Sequence, residues 1–232
     1  MITTVVDDRV RTVTIDRPAT RNALTRDMLE TLETAVAEAT EPVVCLRGAG
    51  PAFCAGADLE TVADLTEDTA AAFARLGQGV ARTIEETEAV TIAAIDGPAR
   101  GGGLELALAC DLRVASPGAT LGEPAVAFGL FGAWGGTVRL PRIVGEGTAL
   151  DLTVTGRSVD AETALQMGLI SQIREDPETL ADEVAAHPAD TTAAVAARVR
   201  DDGADRDQEA AEAAAFATLV GSHREDVQSL LE

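Results

Sequence analysis

Residues 2–7 and 10–16 are short β-branched runs joined through Asp7-Asp8-Arg9, and that pattern predicts an opening hairpin. From Thr25, apolar residues at Met28, Leu29, Leu32 and Val36 recur at helical spacing. Pro42 to Leu46 reads as a buried strand ending at Gly48, followed by a Gly/Pro/Ala loop to Asp58. Residues 68–88 predict a long helix with Ala72, Phe73, Leu76, Val80 and Ile84 on one stripe. Val90 to Ile95 reads as a strand broken at Gly97-Pro98. Three glycines, 101 to 103, then open the apolar helix LELALAC, and Leu112 to Ala115 is a further strand. Strand, helix, strand at this rhythm is an α/β signature.

Beyond about residue 145 the pattern turns helical, over 150–153, 161–167, 180–186, 191–200 and 209–219, with one late strand at 169–173. The expected organisation is an α/β core over residues 1–175 and a helical C-terminal region over 176–232. The Ala-rich helices from residue 178 have thin apolar faces, so they are expected to need another surface, from this subunit or a neighbour.

Charge changes the picture. The chain has 232 residues and a net charge of −21, and all 18 basic residues are Arg. Schiff-base, pyridoxal-anchoring and P-loop lysine chemistry are therefore excluded. A charge this negative repels nucleic-acid phosphate. Acidity together with missing Lys suits a surface adapted to high salt. No apolar run of membrane-spanning length occurs, and the acidic start of the chain does not read as a signal peptide, so a cytoplasmic protein is expected. Cys45, Cys54 and Cys110 are widely spaced, and His187 and His223 lack spaced partners, so no metal site is expected.

Three segments could carry chemistry. Pro51 to Leu59 follows a buried strand, and its small residues suit a backbone N–H presented to an oxygen. Asp96 to Glu105 places glycines before a helix whose N-terminal donors suit an oxyanion, with Glu105 one turn beyond Gly102. Burial in LELALAC should raise the Glu105 pKa while the helix N-terminus lowers it. Leu121 to Ala125 and the glycine-dense run from Gly129 to Gly136 contain Glu123 and the only Trp, Trp134. Glu123 reads either as a second carboxylate or as an acid before Pro124 at a helix start.

Together these segments resemble the crotonase superfamily, the enoyl-CoA hydratase/isomerase family. Arg17-Pro18 with Arg21-Asn22-Ala23-Leu24, then Phe53 to Leu59, then Gly101 to Ala107 with Cys110-Asp111 follow its order. Gly135-Gly136-Thr137, Arg139-Leu140 and Gly145, then Thr155-Gly156-Arg157, then Gly168-Leu169-Ile170 continue it. The resemblance implies a crotonase-like spiral of stacked ββα units with a helical tail for trimerisation, as a homotrimer or dimer of trimers. It implies an acyl-CoA thioester substrate and no separate cofactor, coenzyme A being part of the substrate. The family's two oxyanion donors fall on Ala57 and Gly102, and its first carboxylate on Glu105. Substrate contacts are expected at Arg21, Ala23, Leu24, Ala55, Asp58, Leu59, Gly101, Pro124, Ala125, Phe131 and Trp134. Arg17, Arg21 and Arg26 are candidates for the CoA phosphates.

The second family carboxylate is replaced by Ala125. Glu123 then substitutes from the same loop, or Glu105 works alone, in hydration or in double-bond isomerisation. A catalytically silent acyl-CoA-binding homologue is the alternative of another class. The dehalogenase branch is discarded, because its nucleophilic Asp is missing from Gly132 to Gly135.

Overall fold

The computed structural model describes residues 1–231. The opening runs pair as the hairpin β1 (Ile2–Asp7) and β2 (Val10–Ile15). Thr25 caps α1 (Arg26–Ala37), its hydroxyl accepting from Met28 N–H, and Met28, Leu29, Leu32 and Val36 are buried as the spacing predicts. β3 (Val43–Gly48) leads through the glycine loop to a short α2 (Leu59–Ala63) and the long α3 (Glu67–Glu86). β4 (Val90–Ile95), β5 (Ala99–Arg100), α4 (Gly102–Ala109), β6 (Leu112–Ala115) and β7 (Thr120–Gly122) follow.

A 3-10 segment over Pro124–Phe128 precedes α5 (Gly136–Val144), α6 (Glu146–Thr155), β8 (Ser158–Asp160), α7 (Ala161–Gln166) and β9 (Gln172–Ile173). The chain ends in α8 (Thr179–Ala185), α9 (Ala189–Arg200), α10 (Asp205–Ser222) and α11 (Arg224–Ser229).

One sheet runs β1-β2-β3-β4-β6-β9, parallel except for the opening hairpin, and a small sheet runs β5-β7-β8. The central strands are apolar on both faces because both faces are covered. Val44, Leu46, Ala93 and Ile95 join α1, α3 and α4 in the larger core. Val43, Cys45, Ile92 and Ala94 pack instead against Leu180, Ala181 and Ala185 of α8. The thin apolar face of α8 thus finds its surface within the same chain. Arg200 at the end of α9 donates to Asp111 and to the carbonyls of Thr87 and Ala89. By contrast, α10 and α11 bury none of their residues.

Helix α5 and the strands β5, β7 and β8 depart from the sequence pattern. α5 begins on Gly135-Gly136 and contains Pro141, all poor helix formers, so the burial of Leu140 overrides local propensity. The three strands are two or three residues long, too short to show a period.

Candidate active site

The loops after β3 and β4 are held side by side by backbone. Cys54 and Ala99 form a parallel bridge, as do Leu24 and Ala57. Gly56 adopts φ +90°, and a side chain there would press within 2.9 Å of the Gly102 nitrogen. This close approach brings the Ala57 and Gly102 turns together. Neither the Ala57 nor the Gly102 N–H has an acceptor among the described residues, while their neighbours Leu24, Asp58, Arg100, Gly101 and Glu105 all donate to backbone carbonyls. Both residues line a cavity of about 400 Å³.

Glu105, on the first turn of α4, lines the same cavity and is 1% exposed. Its Oε1 accepts from the N–H groups of Trp134 at 2.9 Å and Gly136 at 2.6 Å. Its Oε2 has no hydrogen-bond partner among the described residues. Burial pushes the Glu105 pKa up to about 7, against the opposing pull of those two N–H groups. The lowering donors therefore come from the start of α5 and the residues before it. The expected source was the N-terminus of α4 itself.

Glu123 is also buried, and neither of its carboxylate oxygens has a partner. Burial first, and the neighbouring Glu105 charge second, push its pKa up to about 8. Gly132 lies against both acids: a Cβ there would stand 2.8 Å from Glu105 Cδ and 2.9 Å from Glu123 Oε2. The loop is thus glycine where the two carboxyl groups meet, although Glu123, unlike Glu105, is not part of the lining of the cavity of about 400 Å³.

Most of the residues expected at the substrate do line the cavity. Ala55 and Leu59 come from the first loop and Gly101 from the second. Pro124, Ala125, Phe131 and Trp134 come from the third. Trp134 is buried edge-to-face with Phe73, its ring centroid 5.9 Å away. Its indole fills the space beside Gly77 and Gly102, where a Cβ would come within 2.2 and 2.3 Å of it.

Four expected contacts lie outside the cavity lining. Asp58 accepts from Arg17 and caps α2 through Thr61 N–H, and the Arg17 guanidinium holds its pKa below the usual carboxylate range. That pairing also occupies Arg17. Ala23 and Leu24 are buried in the framework beneath the loop, and Arg21 sits exposed in a left-handed turn at φ 53°. Arg26 stands 5.8 Å over the ring of Phe73, which does line the cavity.

The sequence reading missed the apolar wall of Val62, Leu65 and Phe73. Phe73 was legible only as part of a helical stripe. It also missed the donation from Trp134 and Gly136, which no spacing rule links to Glu105. Among the described residues no cluster of three or more His, Cys, Asp or Glu is placed to hold a metal ion, and no helix is long and apolar enough to cross a membrane.

The chain is similar to known proteins over most of its length. The sequence profile "Enoyl-CoA hydratase/isomerase" matches residues 6–223. The short-chain-enoyl-CoA hydratase of Clostridium acetobutylicum is 38% identical over 179 residues, covering 75% of this chain and 69% of that protein. The crotonyl-CoA hydratase of Syntrophomonas wolfei is 39% identical over 183 residues, covering 77% and 70%. Among the first such relatives the matched segment spans 63–70% of their own length. The crystal structure of an enoyl-CoA hydratase from Bacillus anthracis superposes with a TM-score of 0.90 at 30% identity, covering 99% of this chain and 95% of that one. The chain belongs to the enoyl-CoA hydratase/isomerase family.

Proposed function

We propose that the protein adds water across the double bond of a 2-enoyl-CoA thioester. The observation that carries this reading is the second buried carboxylate: Glu123, unpartnered, meets Glu105 across Gly132. Hydration needs a water turned toward Cβ and a proton delivered to Cα, and two carboxyl groups of raised pKa can share those tasks. In this reading the thioester oxygen lies between the N–H groups of Ala57 and Gly102. Charge grows on that oxygen as the hydroxyl adds to Cβ, so two fixed donors stabilise the enolate more than the ground state. Glu105 is anchored through Oε1 by two N–H donors that favour its ionised form, which leaves Oε2 to take the proton from the attacking water. Glu123, which keeps its proton to higher pH, passes it to Cα.

Isomerisation of a 3-enoyl-CoA is the second reading. It needs only one base, which Glu105 supplies, to move a proton between Cα and Cγ. Against it, isomerases of this family keep their carboxylate at the position that is Ala125 here, so the retained Glu105 favours hydration. Crotonyl-CoA hydration and 3-enoyl-CoA isomerisation, assayed side by side in molar salt, separate the two. The hydratase reading expects the first, with loss on Glu123→Gln. Isomerisation alone, indifferent to Glu123→Gln, overturns it, and acyl-CoA binding with no turnover of either substrate assigns a silent binding protein.

The unburied faces of α10 and α11, with Phe216 at 69% and Leu230 at 83% exposure, fit a trimer contact. The acidic, lysine-free composition fits a high-salt cytoplasm, as do three buried unpaired thiols.

A further inference from the structure

A second cavity of about 240 Å³ lies behind the first. The two adjoin, sharing Leu130, Phe131 and Gly132 in their linings. Glu105 faces the front cavity and Glu123 the rear one. The rear cavity is otherwise bounded by Val126, Thr137, Thr153 and Val154. Val154 is 63% exposed and Thr137 is exposed at its rim, so the chamber communicates with solvent. The Thr137 hydroxyl makes no hydrogen bond among the described residues.

Both oxygens of Glu123 are buried and without a protein partner. Buried polar groups without protein partners are commonly satisfied by ordered water, and the chamber has room for several molecules at roughly 30 Å³ each. In the hydratase reading the front cavity holds the acyl chain and thioester between Trp134 and the Ala57 and Gly102 donors, while the rear cavity, which Glu123 lines, stays open beside them. Each hydration consumes one water beside the carboxylate pair.

We infer that the rear cavity is the water entrance of the site. It holds ordered water on Glu123 and refills from solvent past Thr137 and Val154 while acyl-CoA occupies the front. This rests on the hydratase reading for its role in turnover, while the water sites themselves do not depend on that reading.

The test is Val154→Trp, which places an indole in the rear chamber from an exposed helix position, with Thr137→Val as a milder second variant. The expected result is a fall of about tenfold or more in kcat for crotonyl-CoA hydration, with KM unchanged, the size expected when an ordered water is lost. Wild-type crystals should show water within hydrogen-bonding distance of Glu123, and Val154→Trp crystals should lack it. A wild type that hydrates crotonyl-CoA, with a folded, filled variant that hydrates it equally well, overturns the inference and leaves the hydratase reading standing. A wild type that does not hydrate overturns the hydratase reading; the crystals then decide, a dry rear chamber or one filled by the acyl chain overturning the inference.

Discussion

Ala57 and Gly102 offer backbone N–H groups from two turns, whereas Glu105 and Glu123 offer side chains from a helix and a loop. The donor side is over-determined. Parallel bridges on both flanks and the φ of +90° at Gly56 fix the two N–H groups, and such a donor depends on the backbone and not on side-chain chemistry, proline alone lacking it. The acid side is asymmetric. Glu105 has two N–H donors on one oxygen, and Glu123 has none on either. The donors make Glu105 the easier of the two to ionise, so when one proton is shared it rests preferentially on Glu123. The lesson is that a backbone donor survives sequence change around it, while a carboxylate works only with the partners that set its charge.

The largest expected break falls on the acid side. Glu105→Gln should lower kcat for the favoured substrate by about 10²–10⁴-fold, the usual weight of a positioned acid–base group. Thioester binding should persist, measured by calorimetry with a non-reactive acyl-CoA. Full activity in this variant would remove Glu105 from the chemistry.

The donor side can be broken through one N–H. Gly102 is the first residue of α4, a position where proline is tolerated, so Gly102→Pro deletes the donor while keeping the helix. A Cβ there would strike Trp134 at 2.3 Å, so the variant belongs in a Trp134→Ala background. Relative to Trp134→Ala alone, kcat should fall by about 10²–10³-fold. An equal rate in both would place the thioester oxygen elsewhere.

Trp134→Ala by itself probes what lies between the two sides. Removing the indole deepens the cavity beneath Gly102, and kcat/KM for a longer enoyl chain relative to crotonyl-CoA should rise about tenfold or more. Stability should drop by about 3–5 kcal/mol, read from denaturant unfolding. An unchanged chain-length preference would make Trp134 core packing alone.

On the donor side the sequence showed small residues after a buried strand and glycines before an apolar helix, which suit close backbone approach, while Ala57 and Gly102 themselves were singled out only by the family resemblance. α1, α3 and the central strands were legible directly, since their apolar spacing survives into burial. Glu123 was legible only as an alternative. Its choice between helix-start acid and second carboxylate depends on Gly132, nine positions away in sequence and brought beside it by the fold. The anchoring of Glu105 by Trp134 and Gly136 was not legible, since α5 itself defies local propensity. Arg21 and Asp58 show the converse: matching motif residues that the fold places in a surface turn and a half-buried ion pair.

The smallest expected effect tests the asymmetry of the acid pair without any substrate. Both carboxyl groups hold their protons in the folded chain at pH values where the unfolded chain, with Glu at its ordinary 4.5, releases them. Between about pH 4.5 and 8 the folded state therefore binds more protons than the unfolded one, and stability falls as pH rises through that window. Glu123→Gln removes the acid with no compensating donors, so it should flatten this fall. Its amide carries the same cost at every pH, so the informative quantity is the slope. The wild-type Tm should decline more steeply than that of the variant between pH 5 and 9, each kcal/mol of difference being worth about 2–4 °C in a chain of this size. Parallel slopes would mean that Glu123 ionises in the folded protein as freely as in the unfolded one. Its carboxylate would then be hydrated in every state, and the proton of the pair would rest on Glu105 instead.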